Sequence, residues 1–80
     1  MNKTVIITGA SRGIGKAIAL KMGKEGFNVV VNYASSDEKA QEVVDEIVKN
    51  DGRAVLCKGD VSRAEDVEKL FQFTKDTYGE

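Results

Sequence analysis

The stretch "TGASRGIGKA", residues 8–17, places three glycines at the spacing G-x-x-x-G-x-G, namely Gly9, Gly13 and Gly15. It follows an apolar, β-branched run and opens a segment of helical periodicity, which is the context of a dinucleotide-binding turn. Gly9 permits a sharp turn, Gly13 permits close approach to a pyrophosphate, and Gly15 lets the helix pack near the sheet. The pattern predicts a phosphate held at the helix N-terminus, and a glycine turn without a ligand is the alternative.

A nucleoside-triphosphate P-loop is excluded by two alanines in the same stretch. The pair Gly15-Lys16 matches part of the motif G-x-x-x-x-G-K-[ST]. The motif also requires glycine where Ala10 stands and a hydroxyl where Ala17 stands, and alanine cannot bind a magnesium ion.

Outward from this stretch, strand-like and helix-like segments alternate. Three short apolar runs, "TVIIT" (4–8), "NVVVNY" (28–33) and "AVLCK" (54–58), are typical of strands buried on both faces. Helical segments follow each of them, and the order β-α-β-α-β-α is that of parallel crossover units. The sequence therefore predicts an α/β fold: a Rossmann-type, three-layer α/β/α arrangement that forms half of a doubly wound parallel sheet.

Each helical segment has a predicted buried stripe and predicted ends. We expect the first to bury Ile14, Ala17, Ile18 and Met22, with Gly23 and Gly26 bracketing its end. The second, from about residue 37 to 50, should bury Ala40, Val43, Val44, Ile47 and Val48. The third should bury Val67, Leu70, Phe71, Thr74 and Tyr78, with Phe73 pointing elsewhere and Gly79 ending the helix. Ser35 with Glu38, and Ser62 with Glu65, have the spacing of capping boxes.

The predicted strand order leaves one edge of the sheet open. In the order 3-2-1-4, the first strand needs a fourth strand on its far side, and the 80 residues contain none. An apolar unpaired strand is prone to pair with another chain. We therefore expect either that residues 1–80 are the N-terminal half of a dinucleotide-binding domain from a longer protein, or that another chain covers this edge. We also expect a homo-oligomer.

Composition narrows the function classes. The net charge of −1 provides no basic excess for nucleic acid, and no stretch is apolar and long enough to span a bilayer. We expect no nucleic-acid or membrane partner, and the single cysteine, Cys57, fits a cytoplasmic location. Without histidine no Ser-His or Cys-His pair can form, and no metal-ligand cluster is predicted. Cys57 lies in the middle of a predicted strand, where we expect an unreactive core residue.

The sequence resembles the short-chain dehydrogenases/reductases in "TGASRGIG" and in "GDVS" (59–62), and the resemblance extends over all 80 residues. With "VVVNYASS" before an acidic helix, it is most similar to the 3-oxoacyl-[acyl-carrier-protein] reductase branch, while sugar and hydroxysteroid dehydrogenases stay open. The resemblance implies that Gly9, Ser11, Gly13, Ile14 and Gly15 line the pyrophosphate and adjoining ribose. It further implies that Asp60 accepts from the adenine amino group and that the Val61 N–H donates to the ring. A helix-cap or turn role is the alternative for Asp60.

The end of the second strand indicates which cofactor is bound. An NAD site usually carries an acid about 20 residues beyond the glycines, where this chain has Tyr33, with no acid before Asp37. Arg12 can contact a ribose phosphate, and the hydroxyls of Ser35 and Ser36 can add hydrogen bonds. The residues favour NADP(H) over NAD(H). A second basic residue, present in some members of the family, is replaced here by Ala34, and a solvated loop arginine is the alternative for Arg12.

The family's catalytic residues have no match in these 80 positions. Members use an Asn-Asn-Ala-Gly stretch, a serine and a Tyr-x-x-x-Lys motif, and neither Tyr33 nor Tyr78 has a lysine four residues on. The resemblance thus implies the cofactor-binding part of an enzyme about three times as long. That enzyme would transfer hydride between NADP(H) and a small-molecule or acyl-carrier-bound substrate, most closely a 3-oxoacyl group in fatty acid biosynthesis, and this piece alone would be inactive. The alternative is a non-catalytic dinucleotide-binding module or sensor.

Overall fold

Strands and helices alternate along the chain in the order that the sequence predicts. The computed structural model describes residues 3–9 and 13–79. Its elements are β1 (Thr4–Ile7), α1 (Gly13–Lys24), β2 (Asn28–Tyr33), α2 (Asp37–Lys49), β3 (Arg53–Lys58) and α3 (Ala64–Tyr78). The predicted strands and the predicted second helix agree closely with these bounds.

The three strands form one parallel sheet in the order β1-β2-β3. Val5 lies opposite Val29 in the first pairing, and Val30 lies opposite Val55 in the second. The fold class predicted from the sequence is therefore confirmed as half of a doubly wound, Rossmann-type sheet. Among the described residues β1 pairs with β2 alone, so its second edge is open as expected.

The central strand β2 separates two packing layers. All of its residues are buried, and Val29, Val31 and Tyr33 belong to one apolar cluster with side chains of α1 and α2. Because side chains alternate along a strand, Asn28, Val30 and Asn32 lie on the other face. Helix α3 packs against β2 and buries Leu70 and Thr74. Helices therefore cover both faces of the sheet, as the three-layer prediction requires.

The buried stripe of α2 was predicted best. Ala40, Val43, Val44 and Ile47 are buried as expected, whereas Val48 is 53% exposed. The regular spacing of apolar residues from Ala40 to Val48 leaves little ambiguity about which face of this helix meets the sheet.

The stripes predicted for α1 and α3 were partly wrong. In α1 the side chains of Ile14 and Ile18 are exposed, and the small residues Ala19 and Gly23 are buried. In α3 Phe71 is 60% exposed, whereas Phe73 is half-buried. In α1 the close approach of Gly23 to Ile47 decides the buried face, and apolar character alone does not predict that distance.

Neither predicted capping box forms. The N-cap of α2 is Ser36, at φ 64°, and it makes no side-chain capping hydrogen bond. The N-cap of α3 is Arg63, and Ser62 bonds to Asp60 instead of the helix. The first prediction was one residue off, because Ser35 precedes the N-cap Ser36. The second failed because the Ser62 side chain bonds to a nearby loop group rather than to a helix N–H group.

The helix stops were predicted more accurately than the starts. Gly26 (φ 93°) and Gly79 (φ 82°) take the left-handed conformation after α1 and α3, as expected of helix-ending glycines. Gly23, which was predicted to mark the end of α1, lies inside that helix. Across the described ranges no helix combines the length and apolarity needed to cross a bilayer.

Candidate dinucleotide-binding site

The parallel sheet brings the predicted site residues to one edge. The carboxyl ends of β1, β2 and β3 lead into Gly9, Ser35 and Asp60 respectively. Strands that run parallel end at the same side of a sheet, and open α/β sheets bind ligands there. We call this side the carboxyl edge.

Gly9 and Gly13 flank the loop between β1 and α1, and both have left-handed backbone angles, φ 61° and φ 64°. A Cβ added at either position would meet no atom of the described residues within 4 Å. Backbone conformation rather than protein packing therefore demands glycine here. Gly15 is half-buried in the first turn of α1. The predicted contacts from Ser11 and Arg12 lie outside the described residues.

The N-terminus of α1 differs in charge from those of the other two helices. Its first turn contains no acidic residue, whereas the first turn of α2 has Asp37 and Glu38 and that of α3 has Glu65 and Asp66. Acidic residues in the first turn compensate the positive end of a helix dipole. The positive end of α1 has no such compensation, and this is the helix end best suited to an anion. Beside it, Ile14 is 80% exposed.

The end of β2 offers polar groups but no free carboxylate. The Tyr33 ring packs in the apolar cluster and is 8% exposed, while Ser35 is exposed to solvent. The nearest acid, Asp37, lies 3.5 Å from the Lys58 ammonium at the end of β3. The negative charge of Asp37 is thus partly balanced by Lys58, so this acid repels a phosphate less than an unpaired acid would.

Residues 59–63, which we call the Asp60 turn, connect β3 to α3. The Asp60 carboxylate oxygen Oδ1 accepts from the Ser62 main-chain N–H at 2.9 Å and from the Ser62 hydroxyl at 2.7 Å. The Asp60 main-chain N–H donates to Asp66 Oδ2 at 2.8 Å. The hydroxyl and then the N–H of Ser62 lower the pKa of the exposed Asp60 carboxyl, which stays ionised at neutral pH.

The turn role considered for Asp60 is therefore real, but it uses only part of the carboxylate. Both Ser62 donors reach Oδ1, and no described residue bonds to Oδ2. The neighbouring Val61 side chain is 46% exposed. An oxygen directed to neither partner leaves the carboxylate able to accept a hydrogen bond from a ligand.

Asn32 supports this edge and was missed by the sequence analysis. It is 3% exposed, and its side-chain amide donates to the carbonyl oxygens of Cys57 at 3.1 Å and Gly59 at 3.3 Å. The main-chain N–H of Gly59 also donates to the Tyr33 carbonyl at 2.8 Å. The sequence did hold a signal for Asn32, because a polar amide inside an apolar strand is expected to have a hydrogen-bonding role. Asp66 offered none, because acidic residues are common in the first turn of any helix.

Other features of the chain do not join this site. Cys57 is half-buried in β3, and burial raises the pKa of its thiol, which stays protonated at neutral pH. A groove of about 460 Å³ between α1 and α2 is lined near the helix C-termini by Lys24, Ile47 and Asn50, away from the carboxyl edge. In the described part of the chain, no group of His, Cys, Asp and Glu side chains is arranged to hold a metal ion.

Comparison with known proteins assigns this geometry to a family. The family model described as short chain dehydrogenase matches residues 3–80. Among curated proteins, a hydroxynaphthalene reductase-like protein of Metarhizium acridum is 49% identical over 77 residues, 96% of this chain and 29% of its own length. A 3-oxoacyl-[acyl-carrier-protein] reductase of Staphylococcus epidermidis is 40% identical over 79 residues, 99% of this chain and 32% of its own length. The chain thus spans about a third of the length of these relatives.

Solved structures have the same arrangement. A hydroxysteroid dehydrogenase from Escherichia coli is 37% identical, with a TM-score of 0.92 over 98% of this chain and 33% of its own. An angucycline C-6 ketoreductase solved with bound NADP is 43% identical, with a TM-score of 0.85 over 96% of this chain and 32% of its own.

Proposed function

The chain belongs to the short-chain dehydrogenase family, and from this we propose that residues 1–80 are the cofactor-binding N-terminal part of a longer NADP(H)-dependent oxidoreductase. The enzyme transfers a hydride between the nicotinamide and a carbonyl or alcohol carbon of its substrate. One observation carries the proposal: the glycine turn before α1 and the Asp60 turn lie at the same edge of the sheet. One can hold a pyrophosphate and the other an adenine, the two ends of an ADP-ribose unit.

Different residues of this chain bind different parts of the cofactor. Gly9, Ser11, Gly13, Ile14 and Gly15 hold the pyrophosphate and adjoining ribose with main-chain N–H groups and the positive end of α1. Asp60 and Val61 bind the adenine. The cofactor supplies the hydride chemistry, and these residues bind and orient it.

The preference for NADP(H) rests on charge at the end of β2. Arg12 contacts the ribose 2′-phosphate, with Ser35 and the strand end at Tyr33 beside it. The pairing of Asp37 with Lys58 supports this assignment, because it lowers the negative potential near Ser35. The angucycline ketoreductase, a similar structure with NADP bound, is a further support.

For the substrate, we propose a 3-oxoacyl group on an acyl carrier, as in the staphylococcal relative. A second candidate, reduction of an aromatic polycyclic ketone, is favoured by the higher identity, 49%, to the hydroxynaphthalene reductase-like protein. Sugar and hydroxysteroid oxidation stay within the same reaction class. A homo-oligomer in the cytoplasm, without nucleic-acid or membrane partners, completes the proposal.

Cofactor choice is tested by measuring dissociation constants for NADPH and NADH with the complete protein. We expect tighter binding of NADPH, and we expect Arg12→Ala to narrow the difference by about tenfold to a hundredfold, the value of a charge-assisted contact to phosphate. Arg53→Ala is the matched control, because it removes the same charge from the opposite end of the sheet. Equal constants in the unmodified protein would contradict the assignment.

Enzymatic activity is tested separately, by following NADPH oxidation with 3-oxoacyl and polycyclic ketone substrates. Turnover with the complete protein, and none with residues 1–80 alone, is the expected result. Tight NADPH binding without turnover of any ketone would favour the alternative, a non-catalytic dinucleotide-binding module or sensor.

A further inference from the structure

The Asp60 turn is more constrained than an exposed loop needs to be. One of the two carboxylate oxygens of Asp60, Oδ1, accepts two hydrogen bonds. The main-chain carbonyl of Asp60 accepts a further one from the Arg63 N–H at 2.9 Å. Exposed groups of this kind can bond to water at little cost. The intramolecular bonds therefore restrict which direction the carboxylate faces rather than rescue buried polar atoms.

Asp66 restricts the same residue from its other side. Its carboxylate accepts the Asp60 main-chain N–H at 2.8 Å, across a separation of six residues and from a different element. Ser62 thus fixes the side chain of Asp60, while Asp66 fixes the backbone that carries it.

We infer that Ser62 and Asp66 are positioning residues for adenine recognition, holding the Asp60 carboxylate with Oδ2 free to accept a hydrogen bond from the exocyclic amine of the base. The inference rests on the proposed function and goes beyond it, since it names residues that touch no part of the cofactor. Preorganised acceptors lose less conformational freedom on binding than mobile ones, so these contacts raise selectivity for adenine.

The competing explanation is that both residues merely stabilise the start of α3. A structural role of that kind lowers the melting temperature when the residue is replaced, but it leaves the choice between bases unchanged. The ratio of dissociation constants for two cofactors that differ at the base separates the two explanations.

The test compares NADPH with its deamino analogue, which carries hypoxanthine in place of adenine and so presents a carbonyl oxygen instead of an amine. In the complete protein we expect NADPH to bind about tenfold more tightly, as for a hydrogen bond to a charged group. Asp60→Ala should reduce this preference more than any other variant. Ser62→Ala and Asp66→Ala should each reduce it about threefold or more, with Asp60 still present.

Conservative variants and a neighbouring acid provide the controls. Ser62→Thr keeps the hydroxyl and Asp66→Asn keeps an acceptor oxygen, so both should retain most of the preference. Glu65→Ala removes an acid from the same helical turn, but Glu65 pairs with Arg63 at 3.6 Å and not with Asp60, so the preference should be unchanged. Should Asp66→Ala fail to fold, the comparison of Ser62→Ala with Ser62→Thr, at an exposed position, tests the inference on its own.

Each result has one meaning. Unchanged base preference in Ser62→Ala and Asp66→Ala, with or without a lower melting temperature, overturns the inference and leaves the proposed function intact. Equal binding of NADPH and its analogue by the unmodified protein also overturns the inference, and it removes the proposed contact of Asp60 with the adenine while leaving the proposed hydride transfer intact. Failure to bind either dinucleotide removes the proposed function and the inference together.

Discussion

Gly23 shows how a single residue can serve a different purpose from the one its type suggests. It lies inside α1 and is buried, where α1 meets α2. A Cβ built at this position would lie 2.7 Å from Cγ2 and 3.1 Å from Cγ1 of Ile47. Both atoms belong to a β-branched side chain with little rotamer freedom, so the space cannot be cleared by a simple rotation.

We expect Gly23→Ala to destabilise the protein. Alanine improves helix propensity by about 1 kcal/mol, whereas overpacking costs about 1–3 kcal/mol, so the net loss should be up to about 2 kcal/mol. Denaturant unfolding of the complete protein measures it. Ile47→Ala removes the opposing atoms, and in a double-mutant cycle Gly23→Ala should then be neutral or stabilising. A stabilised Gly23→Ala single variant would show that the helices separate easily.

At the site, the hydrogen-bond partners of Asn32 and Ser62 could not be predicted from the sequence. Both could be noticed in the sequence, one as an amide in an apolar strand and the other as a serine before a helix. Their partners could not, because Asn32 bonds to carbonyl groups 25 and 27 residues away and Ser62 turns back to Asp60. Hydrogen-bonding capacity is a local property, but the partner is decided by what folding brings near.

At the scale of elements, the C-terminus of α2 has a backbone strain that the C-termini of α1 and α3 avoid. Asp51 follows the helix at φ 67°, and the N–H of Gly52 donates to the Ile47 carbonyl at 2.8 Å. The Asp51 N–H donates to the Val48 carbonyl at 3.0 Å. These two bonds define a Schellman motif, in which glycine normally takes the left-handed position. After α1 and α3 that conformation is indeed taken by Gly26 and Gly79.

Asp51→Gly should therefore stabilise the protein by about 0.5–1 kcal/mol, which thermal or denaturant unfolding can resolve. Part of any gain could come from removing a negative charge near a helix C-terminus. Asp51→Asn isolates that part, since asparagine is uncharged and tolerates the left-handed conformation. Asp51→Ala should be the least stable of the three variants. A glycine variant no more stable than the asparagine variant would contradict the argument from backbone strain.

The elements themselves were predictable to different degrees. Strands and helix stops followed from short apolar runs and glycines, and α2 followed from its regular stripe. The buried face of α1 was not predictable, since Ala19 and Gly23 are buried for their small size while Ile14 and Ile18 are exposed. Hydrophobicity predicts which residues gain from burial, and the distance between elements decides which of them fit.

At the scale of the whole molecule, the described residues leave an unpaired strand edge and an unsatisfied polar atom on the side of β1. In the described ranges this strand pairs with β2 alone, and all four of its residues are only half-buried. The Oδ1 atom of Asn28, on the adjacent strand, is buried without a hydrogen-bond partner in the described chain. Unpaired strand edges and unsatisfied polar atoms are both disfavoured in complete folds. They support the proposal that further sequence or another chain covers this side.

We expect the 80-residue polypeptide to self-associate through β1. Sedimentation velocity over a concentration series should show a sedimentation coefficient that rises with concentration. Ile6→Lys should reduce the association, because a charge on an edge strand disfavours pairing, and Ile6 alternates with the core-facing Val5 and Ile7. Val48→Lys, on an exposed position of α2, adds the same charge away from that edge and should have less effect. A monomer at all concentrations would contradict this prediction.

The sequence by itself determined the order of strands and helices, their parallel topology and the glycine turn at the start of α1. These depend on periodicity, on backbone freedom and on short-range connection rules, all of which act between residues near each other in the chain. Tertiary structure alone decided that Gly23 meets Ile47, that Asn32 supports the end of β3, and that Ser62 and Asp66 orient Asp60. Such contacts depend on distances between whole elements or on a loop's folded path, which close packing sets to within fractions of an ångström and which local sequence does not encode.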